Sequence, residues 1–395
     1  MHSNLKNLLL IPISLGLTLS FLEVGLQMTW EPVFWFNYYR SDPVLHHRGK
    51  ENFSSYQILA DGTRVDTQTN ALGFRERGIQ TKQPNTTRVI VMGDSFTEAG
   101  TSPMEKTATR LLEGRLNIHT SSSKRFEVIN AGQVSYSPIL HYLLLKNILM
   151  PLDPDLVILN LDMTDVQDDM FYSSIAEFDE NRLPLKIPPK ESPIGSKAVQ
   201  RGFWLENFQF LHEHSFLIKF IEQKTHLIAA KDTSKVVPGH LPSDRLAPTR
   251  DVLGKHEKYF VESYQQTGFY LVAIRDFLAK KNIPLIIFVY PHGHQTSKNE
   301  WHTGRLTHRF EQNKLYTGTF FSFLENFCAQ QKLQCHLLLE EYRNARKEKL
   351  LFLPFNGHFS SAGESFLADL QYKALKNDDF IFSLSEHEKK EDSNL

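Results

Sequence analysis

Ser95 is the residue best placed to do chemistry, because of what stands around it. It follows a short β-branched run, Arg88 to Met92, and sits in Gly93-Asp94-Ser95-Phe96-Thr97 at a predicted strand-to-helix turn. A serine hydroxyl is a weak nucleophile until a neighbouring base takes its proton, and backbone N–H groups at such a turn can hold the oxyanion formed on attack. His358, in Asn356-Gly357-His358-Phe359-Ser360 ahead of the last predicted helix, is the candidate base. Two more strand-end loops, Asn130-Ala131-Gly132-Gln133-Val134-Ser135 and Asp162-Met163-Thr164-Asp165, belong on the same rim. Taken singly, Ser95 reads as well as a helix cap and His358 as a surface residue; their convergence is what would give them chemistry.

Competing chemistries fail on spacing. Gly93 and Gly100, followed by Thr101, lie too far apart for a phosphate loop, and no Lys precedes the Thr. No Gly-x-Ser-x-Gly elbow surrounds Ser95, which counts against an α/β-hydrolase fold, and His-Glu-x-x-His and Gly-x-Gly-x-x-Gly are absent. His292 and His294 follow a strand but have no evident third ligand, so they read as polar loop residues, and neither metal nor other cofactor is expected. His212 and His214, in an aromatic run, read as packing or surface residues. Cys328 and Cys335 are too few for a disulfide scaffold or a four-Cys zinc site; one bridge between them and two buried thiols are equally consistent.

The elements that must position these residues alternate. Strands at Arg88–Met92, Phe126–Ile129 and Asp155–Leu161 are separated by helices at Pro103–Leu116 and Pro138–Met150. After a less readable stretch the alternation returns: a helix near Glu257–Lys281, a strand at Pro284–Tyr290, a helix near Leu306–Gln331, a strand near Gln334–Leu339 and a helix at Ser361–Leu375. Strands alternating with helices imply a parallel sheet covered on both faces, with ligands collecting beyond the carboxyl ends of its strands. The middle, about 166–253, reads as an insertion, with a Pro- and Lys-rich stretch at Leu183–Lys197 and an aromatic helix at Phe203–Ile221. Residues 29–86 read as an irregular juxtamembrane connection, 87–378 as the catalytic body and 379–395 as a charged, disordered tail.

The first 28 residues give a compartment signal. Leu8 to Leu22 carry no charge, and apolar character resumes after Glu23 through Met28, a stretch of 21 residues against the roughly 20 needed to span a bilayer. Trp30, Phe34, Trp35, Phe36, Tyr38 and Tyr39 follow where an interfacial belt would sit. An uncleaved N-terminal transmembrane helix is therefore expected over a cleaved signal, with the body outside the cytoplasm, periplasmic or in the cell envelope. With 44 Lys and Arg against 45 Asp and Glu, a net charge of −1, no nucleic-acid partner is expected. Oligomeric state is not legible.

The run Val89 to Gly100 (VIVMGDSFTEAG), the Asn-bearing loop after the second strand and the late His together resemble the SGNH/GDSL hydrolases, over roughly Thr87 to Leu375. Asn70-Ala71-Leu72-Gly73-Phe74-Arg75 is similar to a signature of a bacterial membrane-anchored subgroup. The resemblance implies a three-layer α/β/α flavodoxin-like fold and ester cleavage through an acyl-serine. By position, Ser95 would be nucleophile and first oxyanion donor and His358 the general base, with Gly93, Asp94 and Asp165 retained around them. The second donor would be a backbone N–H where the family has glycine and this chain has Ser135. The third would be Thr164 in place of Asn, and the acid before the His is replaced by Phe355 or Asn356.

The function this implies is a serine esterase or O-acyl hydrolase acting on acyl, including acetyl, esters of a glycan or lipid. The alternatives are an O-acyltransferase, or a binding or scaffold protein of the envelope that keeps the crevice without turnover.

Overall fold

The computed structural model describes residues 2–29, 38–59, 63–118, 124–189, 215, 217–218, 220–221, 257–307, 310–316, 318–345 and 349–377. The chain forms two compact units, one of residues 1–35 with 191–238 and one of residues 36–190 with 239–395.

In the first unit, helix α1 runs His2–Thr29. Its side chains are described from Pro12 to Met28, where Ile13, Leu17, Phe21 and Met28 are exposed but Ser14, Thr18, Ser20, Glu23 and Gln27 interrupt the apolar run. Glu23 accepts hydrogen bonds from Ser215 Oγ at 2.8 Å and the Leu217 N–H at 3.0 Å. Among the described residues no helix is long and apolar enough to cross a membrane.

The second unit holds β1 (Tyr39–Asp42), β2 (His46–Gly49), β3 (Ser54–Ile58), β4 (Arg64–Gln68), β5 (Thr86–Met92), β6 (Arg125–Asn130), β7 (Leu156–Leu161), β8 (Glu177–Phe178), β9 (Pro184–Lys186), β10 (Leu285–Val289) and β11 (Gln334–Leu337). Its helices are α2 (Ser95–Glu98), α3 (Ala108–Ile118), α4 (Pro138–Leu144), α5 (Thr164–Ile175), α6 (Glu257–Ala279), α7 (Gly293–Thr296), α8 (His302–Thr307), α9 (Phe320–Gln331), α10 (Leu339–Asn344) and α11 (Ser361–Asn377).

Five parallel strands form the central sheet in the order β11-β10-β7-β5-β6. Numbered from its first strand, that is the doubly wound order 2-1-3-4-5, whose connections diverge between β5 and β7. Strand side chains alternate between two cores. Ile90, Met92, Ile129, Val157, Leu159, Ile287 and Val289 join one with α4, α6 and α9. Val89, Val91, Val128, Ile158, Ile286 and Phe288 join the other with α3 and α11. Burial on both faces is why these strands read as unbroken apolar runs.

Three expectations are revised. Residues 38–86 are not an irregular connection: β1–β2 and β3–β4 are antiparallel hairpins within the second unit. The helix expected over Leu306–Gln331 is two, because the buried Arg305 guanidinium takes the carbonyls of Glu311 and Lys314, which a continuous helix would have used, and Gly318 turns at φ +69°. The Pro- and Lys-rich stretch includes β9 and is described as far as Pro189, while its residues 190–197, the aromatic run with His212 and His214, and the tail lie outside the described residues apart from a few positions between Ser215 and Ile221. Cys328 at the end of α9 and Cys335 on β11 form a disulfide, with Cα atoms 6.2 Å apart.

Candidate active site

The sheet's divergence point fixes Ser95. Strand β5 ends at Met92, and Gly93 must be glycine because a Cβ there would lie 2.1 Å from Thr97 Oγ1. Asp94 caps α2: its Oδ1 accepts the Phe96 N–H at 2.9 Å and the Tyr290 hydroxyl at 3.0 Å. Thr97 ties the turn to both neighbouring strands, its carbonyl accepting from Asn130 Nδ2 at 2.7 Å and its Oγ1 from Asn160 Nδ2 at 3.0 Å. Beyond α2, buried Arg75 donates to the carbonyls of Ala99 at 2.8 Å and Ser102 at 2.5 Å. The Asn70–Arg75 block thus grips the segment that carries Ser95.

His358 arrives from the other end of the chain. Phe352 and Phe359 form a β-bridge, and the Leu353 N–H bonds the His358 carbonyl at 2.7 Å, closing the loop at its base. Gly357 turns it at φ +81°, where a Cβ would meet Trp301 Nε1 at 2.6 Å. The imidazole packs on Phe96 at 4.8 Å between centroids, and its Nε2 lies 2.8 Å from Ser95 Oγ. This is the distance over which a serine proton passes to a base. Ser95 Oγ also stands 3.4 Å from Asp94 Oδ2, a longer and weaker contact.

The loop after β6 runs beside α2. The Gln133 N–H bonds the Gly93 carbonyl at 3.0 Å, and the Val134 N–H bonds Glu98 Oε2 at 3.0 Å. Ser135 follows at φ +57°, the left-handed conformation that favours glycine. It is 1% exposed, and among the described residues neither its N–H nor its Oγ takes a hydrogen-bond partner. Burial pushes Glu98 up to about 7 against the hydrogen bond from Tyr39 and the charge of Arg75.

The remaining predicted residues are placed differently. Thr164 gives its hydroxyl proton to Asp162 Oδ1 at 2.7 Å, and its N–H bonds the same oxygen at 2.6 Å. A hydroxyl has one proton, so this one is committed away from an oxyanion. Asn356 Oδ1 accepts the His358 backbone N–H at 3.1 Å, so its carboxamide oxygen shapes the loop through the main chain. Asp165 Oδ2 accepts the Asp162 N–H at 2.7 Å, and burial, reinforced by Asp162 and Asp94, raises its carboxyl well above the usual range.

Sequence reasoning missed three participants. His292, considered there only for metal, has Nε2 3.1 Å from Asp162 Oδ2. Burial would raise Asp162, but His292 and the Thr164 hydrogen bonds hold it below the carboxylate range. Glu98 takes the Val134 N–H and His47 its carbonyl, bracing Val134 from either side. The signal for His292 was its position directly after a strand; His47 lies in a segment with no periodicity to read. His294 packs on Phe310 at 4.4 Å, and among the described residues no group of three or more His, Cys, Asp or Glu could hold a metal ion.

No protein-family profile and no curated protein matches the chain. Solved structures do. The chain is similar to an acetyl xylan esterase, AlAXEase, at 14% identity and TM-score 0.37, covering 73% of this chain and 99% of that one. It is similar to TesA at 14% identity and TM-score 0.37, over 74% and 99%. A catalytic mutant of Axe2, an acetylxylan esterase from Geobacillus stearothermophilus, matches at 11% identity and TM-score 0.37, over 72% and 93%.

Proposed function

We propose that the chain is a serine esterase of the SGNH/GDSL type that cleaves acyl esters of a glycan or lipid. The observation that carries this reading is the 2.8 Å approach of His358 Nε2 to Ser95 Oγ. Ser95 Oγ attacks the ester carbonyl carbon as its proton passes to His358 Nε2. The carbonyl π pair moves onto oxygen, and the Ser95 and Ser135 N–H groups hold that oxyanion. Collapse expels the alcohol, which takes the proton from His358 and leaves an acyl-serine. Water, deprotonated by the same imidazole, attacks the acyl-serine, and the carboxylic acid departs as Ser95 regains its proton.

The committed hydroxyl of Thr164 favours a second reading, a crevice that binds an acyl group with little turnover. Fluorophosphonate labelling and p-nitrophenyl acetate hydrolysis separate the two. The esterase reading expects both in the parent and neither in Ser95→Ala, with His358→Ala losing turnover; a folded parent that neither labels nor hydrolyses leaves the binding protein. The Cys328–Cys335 bridge supports a body outside the cytoplasm, where disulfides persist. A fusion of alkaline phosphatase to the C-terminus tests this: an inactive reporter in cells that make the protein sinks the assignment.

A further inference from the structure

The loop that carries Ser135 is held by a histidine from outside the catalytic blocks. His47, on β2, has Nε2 2.8 Å from the Val134 carbonyl oxygen. A carbonyl only accepts, so that nitrogen carries the proton. Its Nδ1 lies 2.9 Å from His46 Nδ1. Burial above all, then His46, pushes the His47 imidazole down to about 4, so near pH 7 it is neutral and its Nδ1 accepts the His46 proton. The result is a relay of fixed polarity: His46 Nδ1–H to His47 Nδ1, then His47 Nε2–H to Val134 O. The rings of Tyr39 and Tyr136 stand edge-on to His47 at 5.6 and 5.3 Å, and the Tyr136 hydroxyl donates to the His47 carbonyl at 2.6 Å.

The Val134 carbonyl and the Ser135 N–H are two ends of one trans peptide and point in opposite directions. Fixing the oxygen on His47 therefore fixes the N–H. A flipped peptide would turn an N–H against the His47 donor and leave both without an acceptor, which is costly in a buried place. The hydrogen bond also polarises the peptide and strengthens the N–H as a donor.

We propose that His47 is a positioning residue for ester cleavage, aiming the Ser135 N–H at the oxyanion and sharpening it through the shared peptide. This rests on the Ser95–His358 reading above for its catalytic consequence, but not for the peptide's orientation.

The test compares the full chain with His47→Phe, which keeps a ring between Tyr39 and Tyr136 and removes the donor, and with His47→Gln, whose amide N–H restores one. Loss of one direct oxyanion donor costs about 10²- to 10³-fold, so an indirect contribution should lower kcat for p-nitrophenyl acetate by about 10- to 100-fold in His47→Phe, leave KM nearly unchanged, and recover in His47→Gln. Val134–Ser135 is the only Val-Ser step in the chain, so ¹³C-carbonyl valine with ¹⁵N-serine isolates one amide signal, that of Ser135. That signal should move in His47→Phe and return towards the parent position in His47→Gln, whether or not the parent hydrolyses esters. An unmoved signal in folded His47→Phe overturns the proposal, as does a kcat loss that His47→Gln leaves uncorrected. Should His47→Phe not fold, His46→Phe removes the donor that fixes the His47 proton; an unmoved Ser135 signal there overturns the proposal equally.

Discussion

Glu364 offers a test of the packed body independent of turnover. It projects from α11, where Oε2 accepts the Ala108 N–H at 2.8 Å and Oε1 the Ser102 hydroxyl at 3.3 Å, and it is 1% exposed. Burial pushes it from 4.5 up to about 8, against the Ala108 hydrogen bond and the charge of Arg75. Between those values the folded chain keeps a proton that the unfolded chain releases. Stability from this group is therefore complete below about pH 4.5 and is lost as pH rises through about 8. At 1.36 kcal/mol per pH step, the loss is about 3 kcal/mol by pH 7 and approaches 5 kcal/mol above pH 8. Glu364→Gln keeps an acceptor for Ala108, can donate to Ser102 and does not titrate. Urea denaturation from pH 5 to 8.5 should give the two proteins similar midpoints near pH 5 and the variant an advantage that grows from there to about pH 8. Glu98, raised to about 7, leaves a residual slope of the same sign in both. Parallel midpoint curves across the whole range would refute the reasoning.

Three other outcomes follow from the geometry. Gly357→Ala should lower kcat more than tenfold with little change in KM, because a left-handed alanine costs about 1 kcal/mol and its Cβ would displace Trp301 or the His358 loop; p-nitrophenyl acetate kinetics on folded protein check it. Thr164→Val should cost less than about tenfold in kcat, since its hydroxyl is bound to Asp162, whereas a loss of 10²- to 10³-fold would make that hydroxyl an oxyanion donor after all. Replacing Cys328 and Cys335 together by alanine should lower stability in urea by about 2.5 kcal/mol, the chain-entropy value for closing so short a loop.

The central sheet was legible because strands buried on both faces leave continuous apolar runs, and helices between them leave a face: Val89–Met92 and Leu156–Leu161 needed no context. Ser95 and His358 were legible through blocks that end such strands or precede a helix. The hairpins between Tyr39 and Gln68 were not, because their short strands are ordered by contacts to the loops of the sheet. The Gly49 N–H bonds Gln133 Oε1 at 2.9 Å, and Tyr136 reaches back to His47. Contacts between residues more than eighty positions apart leave no local period. The role of Thr164 was missed for a related reason: its spacing specifies a place on the rim, while the direction of its proton depends on the Asp162 carboxyl two residues earlier.

The acids beneath the pocket bear on how such a site tolerates a developing oxyanion. Asp94, Asp162 and Asp165 lie at or just beyond the carboxyl ends of β5 and β7, and negative charge there would oppose attack at Ser95. Each is answered separately. Asp165 is pushed well above the usual carboxyl range, first by burial and then by its two acidic neighbours, which favours its uncharged form. Asp162 is ionised but faces His292 Nε2 at 3.1 Å and two bonds from Thr164. Asp94 Oδ1 takes donors from Phe96 and Tyr290. Thr164 is then better understood as part of the screen around Asp162 than as a shortened oxyanion donor.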